Sequence, residues 1–135
     1  MFTLQQILEA HAKTKTGADY PHYVQELKTL GIIKYNFEVE SGKNIFFAQD
    51  GNSVVNVSTN SIYRIVSDNA SPEQLRHIID IHQKGQTDFP TFCLQVAEAG
   101  VEKWTSDLIE MECVYYDKKG NKMYGEAIPD LRGFK

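Results

Sequence analysis

A chain of 135 residues with 41% hydrophobic and 24% charged side chains has the size and balance of one globular domain, able to bury roughly two-thirds of its unfolded surface without metal or disulfide staples. Its formal charge of −4, from 14 basic and 18 acidic residues with Lys and Arg scattered along the chain, argues against nucleic acid as a partner, because affinity for a polyanion rests on clustered positive charge. No apolar run is long enough to span a membrane, Met1 to Lys13 does not read as a signal peptide, and Cys93 and Cys113 form no CxxC pair, so reduced thiols, no membrane partner and a cytoplasmic location are expected.

The first helix opens at Thr3, a capping residue with Gln6 three positions on, and Phe2 is placed to staple onto Ile7. Leu4, Ile7, Leu8 and His11 continue it. A second helix begins at Asp19-Tyr20-Pro21, where the aspartate accepts first-turn N–H groups and proline loses nothing by lacking its own. Tyr23, Leu27 and Leu30 line one face, and Gly31 sits where a left-handed residue ends the helix, with Ile32 folding back on the last turn. Ile33, Tyr35, Phe37 and Val39 then alternate with polar residues as in a half-buried strand. Ser41–Asn44 and Asp50–Asn52 read as turns around a strand at Ile45–Ala48, Ser53–Val57 as a further strand, and Ser61–Val66 as a short one.

The second half repeats the first. A helix starts at Ser71-Pro72-Glu73-Gln74, carries Leu75, Ile78, Ile79 and His82 on one face and ends near Gly85. Another starts at Asp88-Phe89-Pro90 and ends at Gly100-Val101. Leu108–Tyr116 reads as one strand, Asp117–Asn121 as its turn and Lys122–Ile128 as the return. Displaced by 69 positions, Asp19-Tyr20-Pro21 falls on Asp88-Phe89-Pro90, Gly31-Ile32 on Gly100-Val101, Lys34-Tyr35 on Lys103-Trp104, Phe46-Phe47 on Tyr115-Tyr116 and Gly51-Asn52 on Gly120-Asn121. Upstream, a displacement of 71 sets Leu4, Ile7, Leu8 and His11 on Leu75, Ile78, Ile79 and His82. The expectation is a single α+β domain over residues 1–135 made of two pseudo-repeats, about 1–66 and 67–135: a tandem duplication of a helix-loop-helix-strands unit. Its antiparallel sheet packs against helices, in a closed pseudo-twofold arrangement with each copy covering the other's apolar face. In this reading Ser41-Gly42 has no turn-like counterpart in Glu110-Met111.

The repeated residues suggest a site at the seam. His11, Asp19, His82 and Asp88 make a possible set of two imidazoles and two carboxylates for zinc or iron. Separately, both aspartates are explained as caps and both histidines as favourable charges at helix ends, so no metal or other cofactor is assigned. Cys93 with His82 or His22 is the available thiol–imidazole combination, although a cysteine inside a helix is more often a small buried hydrophobe. Tyr20, Tyr23, Tyr35, Phe89, Phe92, Trp104, Tyr115 and Tyr116 are either core or the walls of a pocket between the copies. Glu38, Glu40, Asp107, Glu110 and Glu112 alternate with apolar residues as a solvent face of strands. Phosphate loop, GxSxG and HExxH are absent.

His82-Gln83-x-Gly85-Gln86-Thr87-Asp88-Phe89-Pro90-Thr91-Phe92-Cys93, then Ala97-x-Ala99-Gly100-Val101-Glu102-Lys103-Trp104 and Cys113-x-Tyr115-Tyr116-Asp117-x-x-Gly120-Asn121, resemble a domain-of-unknown-function family of small bacterial and prophage proteins typified by YbcV and YdfO. The opening Met1–Gly31 is similar too, so the resemblance spans nearly the whole chain, with Gly51–Ala70 the least family-like stretch. It implies an α+β fold and a bacterial or phage-derived origin, and it supplies no catalytic residues; the label "phage envelope protein" sometimes given to the family carries no mechanism. With no catalytic constellation in view, the expected function is a non-enzymatic accessory domain that binds another protein or itself. The alternative is a small-molecule- or metal-binding domain, enzymatic or not, with His11, Asp19, His82, Asp88, Cys93 and Trp104 at the seam; a phage structural role is a third reading.

Overall fold

The computed structural model describes residues 3–13, 19–57 and 64–128. Helices α1 (Leu4–Lys13) and α2 (Tyr20–Thr29) precede strands β1 (Ile32–Glu38), β2 (Lys43–Ala48) and β3 (Ser53–Val57). The same order then recurs as α3 (Pro72–Gln83), α4 (Phe89–Glu98), β4 (Lys103–Asp107), β5 (Glu112–Tyr116) and β6 (Lys122–Ala127). The fold is α+β. All six strands form one antiparallel sheet in the order β3-β2-β1-β4-β5-β6. The two copies therefore meet edge to edge, through β1 and β4, rather than face to face.

The β1–β4 register shows how the copies are related. Asn36 lies opposite Thr105, its own equivalent at 69 positions, and their side chains bond, Thr105 Oγ1 to Asn36 Oδ1 at 2.9 Å. Tyr35 pairs with Ser106 and Phe37 with Trp104. Because Trp104 is the equivalent of Tyr35, and Ser106 of Phe37, exchanging the copies maps this pairing onto itself. A local twofold axis passes between Asn36 and Thr105, perpendicular to the sheet.

Helix ends follow from their capping chemistry. Thr3 and Gln6 form a complete capping box, Gln6 N donating to Thr3 Oγ1 at 3.2 Å and Thr3 N to Gln6 Oε1 at 2.8 Å. At α3, Ser71 Oγ accepts from Gln74 N at 3.3 Å, but the Ser71 N–H goes instead to the Ala99 carbonyl at 2.8 Å, tying the start of α3 to the end of α4. Asp88 caps α4 through Thr91 N at 2.8 Å. Asp19 departs from the expected cap: its backbone is already helical, with φ −86° and ψ −5°, and its side chain makes no capping bond. Gly85 and Gly100 close α3 and α4 in left-handed conformations, Gln86 N bonding Ile81 O and Val101 N bonding Val96 O across the last turn.

The strands correct the sequence reading in three places. Leu108–Tyr116 is not one strand; Leu108 to Met111 is a turn between β4 and β5. This turn is the counterpart of Val39 to Gly42, so the duplication persists where it was expected to fail. Gly42 has φ 75°, and Met111, at the same point of the second copy, has φ 55°, the only non-glycine with positive φ among the described residues. Sequence composition hid the turn because methionine gives no sign of a left-handed position. At the start of β1 the register slips between Ile32 and Lys34, which buries Ile32 and leaves Ile33 half-exposed. Of the short strand expected over Ser61–Val66, residues 61–63 lie outside the described residues, as does Phe2 with its staple, and Arg64 to Val66 is irregular.

Burial alternates along the strands. Tyr35, Phe37, Phe46, Trp104, Ser106, Cys113 and Tyr115 are buried beneath the helices, which contribute Ile7, Val24, Leu27, Leu75, Phe92 and Val96 to the same core. Burying an aromatic such as Phe46 stabilises the fold by roughly 1.5–3 kcal/mol.

Candidate functional site

Under the sheet's inner face, where the two copies join, lies a cavity of about 130 Å³. Every helix and five of the six strands reach its wall: His11 from α1, Tyr20 and Tyr23 from α2, Tyr35 from β1, Asn44 from β2, His82 from α3, Phe89 and Phe92 from α4, Trp104 from β4, Cys113 and Tyr115 from β5, and Glu126 from β6. Ten of these residues are five repeat-related pairs: His11 with His82, Tyr20 with Phe89, Tyr23 with Phe92, Tyr35 with Trp104, and Asn44 with Cys113. The cavity thus sits on the local twofold axis, and the same positions of both copies face it.

The pairs are alike in place and unlike in chemistry. The first copy contributes hydroxyls. Tyr35 donates to Tyr20 Oη at 2.9 Å, Tyr20 Oη meets Ser106 Oγ at 2.7 Å, and Ser106 donates to Cys113 Sγ at 3.7 Å. Ser106 stands where the first copy has Phe37; the small side chain leaves the space these hydroxyls occupy, while Phe37 itself stacks on Trp104 at 4.4 Å. In the second copy Phe89, Phe92 and Trp104 replace Tyr20, Tyr23 and Tyr35, with Phe92 and Trp104 edge to face at 5.6 Å and Trp104 5.7 Å from Tyr115. Burial pushes the hydroxyls of Tyr20, Tyr23, Tyr35 and Tyr115 above the ordinary phenol value, so they stay protonated.

Both histidines are held by one ring nitrogen. His11 Nε2 bonds the Tyr23 hydroxyl. His82 stacks on Phe92 at 4.2 Å and its Nδ1 lies 3.1 Å from the Thr87 carbonyl and 3.0 Å from Thr87 Oγ1. A carbonyl only accepts, so Nδ1 carries the proton and Nε2 of the neutral ring keeps a free lone pair. Burial lowers the pKa of both imidazoles, partly offset at His82 by the Thr87 bond and the Asp88 charge. Glu126 is held by Gln83 Nε2 at 3.1 Å and by the Tyr115 hydroxyl at 3.4 Å; burial raises its pKa, and those two bonds pull it back. Asn44 is only 6% exposed, and no side-chain hydrogen bond joins it to another described residue.

Of the six seam residues singled out from sequence, His11, His82 and Trp104 share the cavity wall, and Asp19, Asp88 and Cys93 do not. Asp88 is spent on its helix cap, which lowers its pKa. Cys93 is fully buried in the core, and burial pushes its thiol up to about 12, the wrong direction for a nucleophile. Among the described residues no three of His, Cys, Asp and Glu are grouped to hold a metal ion. Seven of the eight aromatics stand on the wall, all but the exposed Phe89 also buried in or packed against the core; Tyr116 lies outside the wall, under Lys103 Nζ at 5.4 Å. Asn44, Cys113 and Glu126 were missed. Parity was the available signal for Asn44, which shares its strand face with Phe46, whereas nothing local distinguishes Glu126 from a solvent-facing glutamate.

The model of the family described as "Protein of unknown function (DUF1398)" matches residues 8–127, so the chain belongs to that family. No curated protein matches it. The matched span runs from just before His11 to just after Glu126 and so takes in the whole cavity wall.

Proposed function

We propose that this member of the DUF1398 family is a small-molecule-binding domain whose ligand occupies the cavity between its two copies. One observation carries the reading: five repeat-related pairs converge on a single space on the twofold axis. Duplicated residues that only cap or pack have no need to surround a void, since protein interiors are otherwise close-packed. A mostly apolar wall with a few placed polar groups is the usual make-up of a ligand site. A void of about 150 Å³ accepts benzene, so this one suits a body of about one ring. Gln83 and Phe89, both exposed, mark where the cavity reaches the surface.

A thermal-shift screen of ring-sized fragments tests the proposal, since a ligand selective for the folded state raises the melting temperature. Hits are expected with the wild-type chain and should vanish in Asn44→Phe, which fills the cavity while the fold, followed by circular dichroism, persists. Hits undiminished in that variant would place the ligand elsewhere.

The association reading has its own support. Val55 and Val57 are 48% and 51% exposed on the edge strand β3, an arrangement open to pairing with a second chain. Light scattering at increasing concentration tests it; a monomer throughout removes self-association. Prophage origin and a cytoplasmic location belong to the same proposal, with a cytosolic pool, rather than co-sedimentation with particles, expected in an induced lysogen. No helix among the described residues is long and apolar enough to cross a membrane.

A further inference from the structure

The described groups on the cavity wall are one-sided in charge. We propose that its ligand is a small organic ammonium ion with a ring-sized apolar body, a proposal that rests on the cavity being a ligand site. Among the described residues no lysine or arginine stands on its wall, and Glu126 is the single carboxylate there. A carboxylate or phosphate entering this space would be buried without a compensating cation, at a cost its few hydrogen bonds do not recover.

An ammonium meets the opposite conditions. The Glu126 carboxylate is fixed against Tyr115, whose ring lies 5.7 Å from Trp104, which in turn lies 5.6 Å from Phe92. The carboxylate therefore terminates a continuous row of ring faces and edges, and ring faces attract cations, most strongly when desolvated. Two side chains on the wall can accept from N–H groups: His82 at Nε2, because its other nitrogen carries the proton to Thr87, and Asn44 through its amide oxygen, although the Asn44 amide can also donate. The burial that raises the Glu126 pKa is offset by a neighbouring positive charge, so binding a cation releases a proton whenever Glu126 begins protonated.

Trp104 is the only tryptophan in the chain and stands on the wall, so its fluorescence reports occupancy. Benzylammonium, benzyl alcohol and benzoate share one ring and differ in charge. Benzylammonium is expected to bind saturably and about thirtyfold more tightly than benzyl alcohol, the size of one desolvated cation–π contact, with benzoate not binding. Glu126→Gln should collapse that preference. Without any variant, wild-type affinity for benzylammonium should rise with pH as Glu126 ionises, while affinity for benzyl alcohol stays level. If benzyl alcohol or benzoate binds as well as benzylammonium, or if the preference survives Glu126→Gln with a flat pH profile, the ammonium assignment falls and the cavity reading stands. If none of the three binds, both fall.

Discussion

Asn36 and Thr105 are the same position in the two copies, and they face each other across the middle of the sheet with Thr105 Oγ1 donating to Asn36 Oδ1 at 2.9 Å. An internal duplication has here become a symmetric pairing, with its axis between two side chains that were equivalent before they diverged. The contact is half-buried and joins the central strands, so a double-mutant cycle of Asn36→Ala and Thr105→Ala should return a coupling of about 0.5–1 kcal/mol by urea denaturation. Strict additivity of the two single variants would show that the hydrogen bond contributes nothing to joining the copies.

Gly31 and Gly100 end equivalent helices at nearly the same angles, φ 92° and 93°, yet they differ in surroundings. A Cβ at Gly31 meets nothing within 4 Å, whereas one at Gly100 would stand 2.7 Å from the Ala70 Cα. Gly31→Ala should therefore cost only the left-handed penalty, about 1–2 kcal/mol. Gly100→Ala should cost clearly more, because the backbone entering α3 must shift as well. Equal denaturation midpoints for the two variants would contradict this.

Burial lowers the pKa of His11 and His82, so the unfolded chain binds protons more readily than the folded one near the ordinary histidine value. The stabilisation from keeping these rings neutral is complete above about pH 6.5 and is lost as pH falls below it. Glu126 acts in the opposite direction: its raised pKa favours the fold below the unfolded carboxylate value and loses that contribution as pH rises through the folded one. Unfolding free energy should accordingly fall between pH 6.5 and 5.5 in the wild type and fall less steeply in His11→Gln/His82→Gln. An unchanged slope in the double variant would assign the acid sensitivity to other groups.

Cys93 and Cys113 both have thiols pushed up to about 12 by burial. Iodoacetamide at neutral pH should label neither in the folded protein and both in urea, as read by mass spectrometry. Rapid native labelling at Cys93 would reopen the nucleophile that its sequence context suggested.

Much of the helical architecture was legible because its signals are local. The Thr3–Gln6 box, the Ser71 and Asp88 caps and the glycines at 31, 85 and 100 act within a turn or two, so composition at fixed spacing was enough to place them. Asp19 was misread for a related reason: a cap needs an extended backbone at its own position, and Asp19 already has a helical one. The turn at Leu108 to Met111 was invisible because the second copy holds its left-handed position with methionine, where Gly42 marks it openly in the first. Half of the proposed seam set reached the cavity. His11, His82 and Trp104 lie on faces that helical and strand periodicity already orient inward, whereas Asp19 and Asp88 belong to helix ends and Cys93 to the core.

The duplication, the order helix-helix-strands and the chemical identity of each repeated pair belong to the sequence by itself, because each is a matter of spacing along one chain. What only the tertiary structure decided is that the copies join through β1 and β4, about an axis between Asn36 and Thr105. That choice depends on which strand edges pair, which no local propensity specifies. It is also what brings His11 and His82 to one cavity and sets Glu126, from the last strand, among the rings of β4, β5 and α4.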